Sequence, residues 1–225
     1  MEPADQADAD GTVHVDTMWK RKIMKLMKET PLASSLLDAV GPLVSLLGGA
    51  VELEDFEDII NDKRREWKEL LYTDAGFGLP RSYSFDFAIA IYVYTLETVS
   101  VYKTVNRAMF NPDRRNGGGG VSDELLCCMP YIKFLDAALE ALPNSYVYRG
   151  EVRRGVKWVY PSPDRHDPKG YFRAGATVMW YEFKSTSKEE EVMTRPHFCG
   201  VDAGPRSIFV VTACRGYDIE KFTGL

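Results

Sequence analysis

The reading that decides the fold rests on Tyr148-Arg149-Gly150 and, farther along, on Trp180-Tyr181-Glu182-Phe183-Lys184-Ser185-Thr186-Ser187. Residues 146–149, 177–183 and 207–214 are β-branched and aromatic, bounded by Gly, Pro and Asn, and are expected to be strands. Tyr148-Arg149-Gly150 follows Pro143-Asn144 and is expected to end the first of them. An arginine at a strand end can grip two oxygens of a diphosphate with its planar fork, which a lysine cannot do. A glycine beside it lets a ligand approach the backbone. By itself, a strand-terminal Arg-Gly usually marks just a turn. The second stretch begins its hydroxyl run at Ser185, 36 positions after Arg149. Three consecutive hydroxyl residues place donors and acceptors at a sheet's rim, or else make a Ser/Thr-rich turn.

Before these strands the periodicity is helical. Residues 1–16 are acidic and polar, with no apolar repeat, and are expected to be disordered. From Thr17 to Glu29 the pattern is a cationic amphipathic helix, with Trp19, Ile23 and Leu26 or Met27 on one side and lysines around them. Residues 31–51 are apolar, but Asp38, Pro42 and Gly48-Gly49 interrupt them, so a buried or partner-facing helix is expected rather than a membrane span. A helix over 54–71 carries the stripe Phe56, Ile60, Trp67 and Leu71, and 74–80 is a loop. One long helix is expected over 86–110, stopped at Asn111-Pro112, and Gly117–Gly120 reads as a linker because no P-loop lysine follows it. Residues 122–142 give one or two helices, broken at Pro130. Helices first and strands second make an α+β protein. Three stretches are expected: a tail over 1–16, a helical appendage over 17–51 and the main domain over 52–225.

Composition narrows the function. The net charge of -5 argues against general nucleic-acid binding. Cys127, Cys128, Cys199 and Cys214 lack the pairing that a zinc site needs, and His14, His166 and His197 do not complete one, so no metal is expected. Reduced thiols, the lack of a signal-peptide pattern and the lack of a membrane span point to a cytoplasmic protein.

Taken together and in this order, the two motifs resemble the arginine-specific mono-ADP-ribosyltransferases of the R-S-E type. Beyond them, the helix bearing Tyr94-Thr95, Tyr102 and Asn106, the run Pro143–Gly150, the run Gly175–Ser187 and the segment Arg206–Thr223 are similar to that family's pattern, so the likeness covers about residues 54–223. The resemblance implies an N-terminal helical region followed by a small two-sheet core that binds NAD as co-substrate. It also implies that Tyr148, Arg149, Gly150, Ser185, Thr186 and Ser187 form the cofactor site, with Arg149 and Ser185 as catalytic residues. Arg149 would hold the phosphates, the Gly150 backbone the nicotinamide amide, and Ser185 the reacting end, while Thr186 and Ser187 support the turn. The partner would be a protein offering an arginine side chain, and the oligomeric state stays open.

The family also uses a Glu-x-Glu pair on a loop tens of residues beyond Ser-Thr-Ser. Up to Leu225 the sequence has none in that frame. Glu189-Glu190-Glu191 fits the letters but follows Ser187 too closely, and a solvated acidic helix start is expected there. Three readings stand: an incomplete copy of an active enzyme, a degenerate member, or a substitute role for Glu189 and Glu191. A non-catalytic NAD-binding or protein-interaction module on the same fold is the alternative function.

Overall fold

The computed structural model describes residues 17–49, 51–110, 121–156, 180, 182–195, 199–201, 204 and 206–223. The readings made for 1–16, for the glycine linker and for most of 177–183 lie outside them. Among the described residues the arrangement is mixed α+β: six α-helices precede two paired strands. Of the described residues, 21–110, 121–147 and 217–223 form one compact unit, and 17–20 with 148–216 form another.

The helical unit is built on expected elements with corrected boundaries. Helix α1 spans Thr17–Glu29 as its periodicity predicts, with Ile23 buried. Helix α2, Leu36–Val44, is capped by Ser35, whose hydroxyl accepts from the Asp38 N–H, and buries Leu36, Ala39, Val40 and Leu43. In α3, Leu53–Trp67, Phe56, Ile60 and Trp67 are buried, and Leu71 beyond its end is buried too, so the expected stripe holds. The helix stops short of 71 because the chain folds back, with Phe77 donating to the Leu70 carbonyl and Leu79 to that of Leu71.

The single helix expected over 86–110 is two helices, α4 (Phe85–Thr95) and α5 (Val101–Phe110). Leu96 is already extended, and Ser100 takes a left-handed φ of 48°. Between them Thr95 turns its hydroxyl onto the Tyr92 carbonyl and Ser100 turns its own onto that of Glu97, the local competition by which such residues divert a helical backbone. Helix α4 is buried nearly all round, which marks a central helix rather than an amphipathic one. The break expected at Pro130 does not occur. Helix α6, Asp123–Glu140, runs through it, and the residue whose carbonyl loses its partner, Leu126, is on the exposed side, where water can serve instead.

Several buried polar groups in this unit have clear partners. Asp86, at the start of α4, accepts from the Leu36 N–H and from Arg64, tying α2, α3 and α4 together. Tyr131 donates to the Ala90 carbonyl and Tyr83 to that of Ala138, each at 2.8 Å. Phe222, in the short 3-10 turn Glu220–Phe222, is fully buried against Phe77, Trp67 and Tyr146.

The second unit carries the sheet. Strand β1 runs Val147–Val156 and β2 runs Ser207–Tyr217. They are antiparallel: the Asp218 N–H reaches the Tyr146 carbonyl, and Gly216 lies across from Tyr148. Both strands are longer than expected, so Tyr148-Arg149-Gly150 lies near the beginning of β1 rather than at its end. Gly150 makes this continuation possible, because it absorbs a φ of +146° that a side chain would resist. Beyond it, the Val152 side chain is buried, as a strand continuing into a covered surface requires. Glycine is also needed at Gly155, where a Cβ would stand 2.4 Å from the Cys199 sulfur. Among the described residues this is one two-stranded sheet, and Trp180, Glu182 and Phe183 of the second expected strand are irregular.

Candidate functional site

The candidate residues lie along β1 and on the segment that passes its outer edge. Arg149 is exposed, and its Nε donates to the Cys214 carbonyl of β2 at 3.1 Å. That bond fixes the root of the guanidinium. Its two Nη groups make no hydrogen bond among the described residues. Tyr148 and Gly150, two apart on the strand, share a face. The Tyr148 ring folds back over Gly150, its hydroxyl donating to the Glu151 carbonyl at 3.1 Å, and a Cβ at Gly150 would meet that hydroxyl at 2.9 Å. The glycine therefore makes room for its neighbour's ring, a use its place in the sequence did not disclose. Lys188 sits 5.7 Å from the centre of the same ring.

Ser185, Thr186 and Ser187 are brought to β1 at Arg153 and Arg154. The bridge between Arg153 and Ser187 uses both backbone pairs, at 2.7 and 2.8 Å, and the Arg154 Nη1 donates to the Ser185 carbonyl at 2.8 Å. Ser185 and Thr186 are exposed, and their hydroxyls make no hydrogen bond among the described residues. Ser187 uses its hydroxyl locally, accepting from the Glu189 N–H in the turn that ends the segment. Arg149 and Arg153 are four residues apart, which separates the two halves of the site by roughly 13 Å along the strand.

Neither arginine at 153 or 154 emerged from the sequence reading. The signal was there, as a tandem pair in strand register after Tyr-Arg-Gly, but a charged pair on a short strand ordinarily reads as a solvated edge. A second feature was also missed. Trp180, Glu182 and Lys184 alternate: Lys184 pairs with Glu182 at 2.5 Å and lies 5.5 Å from the Trp180 ring centre, and Trp180 meets Phe209 of β2 edge-on. Burial draws the Lys184 ammonium below its usual range, with Glu182 opposing the shift and Arg154 adding to it.

The three glutamates after Ser187 are exposed, in keeping with an acidic start to the 3-10 turn Glu191–Thr194. Glu190 stands 3.6 Å from the Arg153 Nε. Among the described residues no group of three or more His, Cys, Asp or Glu side chains is placed to hold a metal ion, and no helix is long and apolar enough to cross a membrane.

The profile of a family described as NAD:arginine ADP-ribosyltransferase matches residues 50–224. No curated protein sequence matches the chain. Among solved structures, the type III effector XopAI from Xanthomonas axonopodis pv. citri is similar over 92% of this chain and 76% of its own, with 12% sequence identity and a TM-score of 0.60. At that identity the likeness is one of fold. A form of the same effector truncated by 70 N-terminal residues is similar over 65% of this chain and 57% of its own, with 16% identity and a TM-score of 0.40.

Proposed function

The chain belongs to the NAD:arginine ADP-ribosyltransferase family, and we propose that it binds NAD along the outer edge of β1 and transfers the ADP-ribose to an arginine side chain of an acceptor protein. The observation that carries this reading is the guanidinium of Arg149, anchored through Nε to Cys214 with its forked end open. A diphosphate presents two oxygens at the spacing of that fork. The open hydroxyls of Ser185 and Thr186, one strand segment away, suit the ribose and nicotinamide end, and Ser187 holds the turn beneath them. The Gly150 backbone would take the nicotinamide amide, with the Tyr148 ring as its neighbour. Residues 52–225 would form the two-sheet domain that does this, behind a helical appendage over 17–51 and a tail over 1–16.

In the reaction the bond between nicotinamide and the ribose carbon breaks, and its electron pair leaves with nicotinamide. A guanidine nitrogen of the acceptor forms the new bond to that carbon and gives up a proton. The residues named above hold the diphosphate and the departing ring in line. A carboxylate facing the sugar is the further requirement, since positive charge develops there in a partly dry site. Glu189 and Glu191 are not assigned this role: they are solvated and belong to the turn leaving Ser187. The net charge of -5 suits a protein acceptor carrying arginines better than a nucleic acid.

Two measurements test the proposal. NAD at about a hundred times its Kd adds roughly 2.7 kcal/mol of stability, a Tm rise of about 5 °C or more for a chain of this size. Labelled NAD incubated with an arginine-rich and a lysine-rich acceptor should label the first alone. No Tm shift at large excess removes the NAD site. A shift without transfer leaves a binding module on the same fold.

A further inference from the structure

We propose that Arg154 is a positioning residue that sets where Ser185 sits, an assignment that rests on the reading of Ser185 as part of the NAD site. Phe183, Lys184, Ser185 and Thr186 have no regular secondary structure, and Ser187 makes an isolated bridge rather than joining the sheet. The backbone pairing that would ordinarily fix a rim residue to within a fraction of an ångström is therefore missing at Ser185. Two consecutive side chains of β1 replace it. Neighbours on a strand point to opposite faces, so Arg153 and Arg154 reach the segment from opposite sides. From one side Arg154 donates its Nη1 to the Ser185 carbonyl at 2.8 Å. From the other, Arg153 donates its Nη1 to the Lys188 carbonyl at 3.4 Å and faces Glu190 through Nε, while its backbone exchanges both hydrogen bonds with Ser187.

The consequence is chemical. With Ser185 held by its carbonyl, its hydroxyl stays available for a ligand. Lys184 cannot take over this task, because its ammonium is committed to Glu182. The bond from a cationic donor to a carbonyl is the stronger kind, and the fixed plane of the guanidinium gives it direction as well. A lysine at 154 could still donate to the same carbonyl, without that direction, whereas a methionine could not donate at all.

The test compares the full chain with Arg154→Met and Arg154→Lys, using two readouts. The first is amide hydrogen exchange over residues 183–188, which does not involve NAD. Arg154→Met should speed exchange there and leave the helical unit unchanged, and Arg154→Lys should fall between. The second is NAD binding by calorimetry. Arg154→Met should weaken it about tenfold or more, the loss of one charge-assisted hydrogen bond, with most of the affinity recovered in Arg154→Lys. Unchanged exchange in Arg154→Met overturns the clamp whatever NAD does. Faster exchange with unchanged NAD affinity overturns the link between the clamp and the site. If the wild-type chain binds no NAD, the functional reading falls and takes the positioning role with it, while the exchange result still decides whether Arg154 holds the segment. Should Arg154→Met fold poorly, Arg154→Gln serves both readouts as the loss variant, since its neutral amide sits two bonds nearer the backbone than the Nη1 that reaches the Ser185 carbonyl.

Discussion

Polar groups serve opposite ends in the two units. In the helical unit they are drawn inward and consumed: Asp86 by Leu36 and Arg64, Tyr131 by Ala90, Tyr83 by Ala138. Helix α4 is apolar almost all round, and its neighbours bury continuous stripes against the core. In the strand-bearing unit the buried apolar residues described between 148 and 216 are few, namely Val152, Met193 and Cys199. There the segments are held by arginines reaching backbone carbonyls and by two glycines that let other groups come close. Buried apolar packing is concentrated in the first unit, and exposed polar groups in the second.

This contrast can be broken at its strongest point. Phe56 is fully buried in α3, and Phe56→Ala should cost about 3–5 kcal/mol in chemical denaturation, as loss of a core aromatic side chain does. A cost below about 1 kcal/mol would show that the helical unit is not the stable one. Gly155→Ala probes the other unit. Its new methyl would stand 2.4 Å from the Cys199 sulfur, so a loss of about 1–3 kcal/mol is expected through overpacking. A smaller loss would mean that the sheet's first layer yields readily, and the contrast would be sharper still.

The cysteines give a milder version of the same test. Burial pushes the Cys128 thiol up to about 12, with Glu124 adding to the shift, whereas Cys214 is exposed on β2. At pH 8 a thiol reagent followed by mass spectrometry should label Cys214 well ahead of Cys128. The raised value also sets a sign. The unfolded chain releases this proton near its ordinary value of 9.0, while the folded chain keeps it, so stability falls as pH rises from about 9 toward 12. Buried Tyr83, Tyr131 and Tyr146, also raised by burial, add to that alkaline loss. Cys128→Ala should reduce the slope in denaturation curves taken across that range, and an unchanged slope would mean that the thiol is hydrated in the fold.

Much of the helical unit was legible because its signals are local. The bounds of α1 follow from one amphipathic pattern, and the stripe Phe56, Ile60, Trp67, Leu71 is buried as its spacing requires. What misled was backbone diversion by side chains. Nothing in the apolar period of 86–110 shows that Thr95 and Ser100 bind carbonyls behind them and split the helix. Pro130 reads as a stop, yet it is tolerated on the exposed side of α6. At the candidate site, the two motifs lie on β1 and on the segment bridged to it, but the contacts around them were not legible. Arg154 acts across 31 positions of sequence on Ser185, and the Tyr148 ring covers Gly150 through a side-chain rotation that no spacing encodes. Long-range polar contacts of this kind leave little trace in periodicity.

The central claim is that the forked end of Arg149 holds the diphosphate of NAD, and calorimetric titration of NAD into the wild-type chain, Arg149→Lys and Ser187→Ala tests it most directly. Arg149→Lys should bind about ten- to a hundredfold more weakly, because lysine offers a point charge and no fork. Ser187→Ala should lose less, since that hydroxyl is spent on the Glu189 N–H. Equal losses in the two variants, or full affinity in Arg149→Lys, would contradict the account and return Arg149 to a structural role on β1.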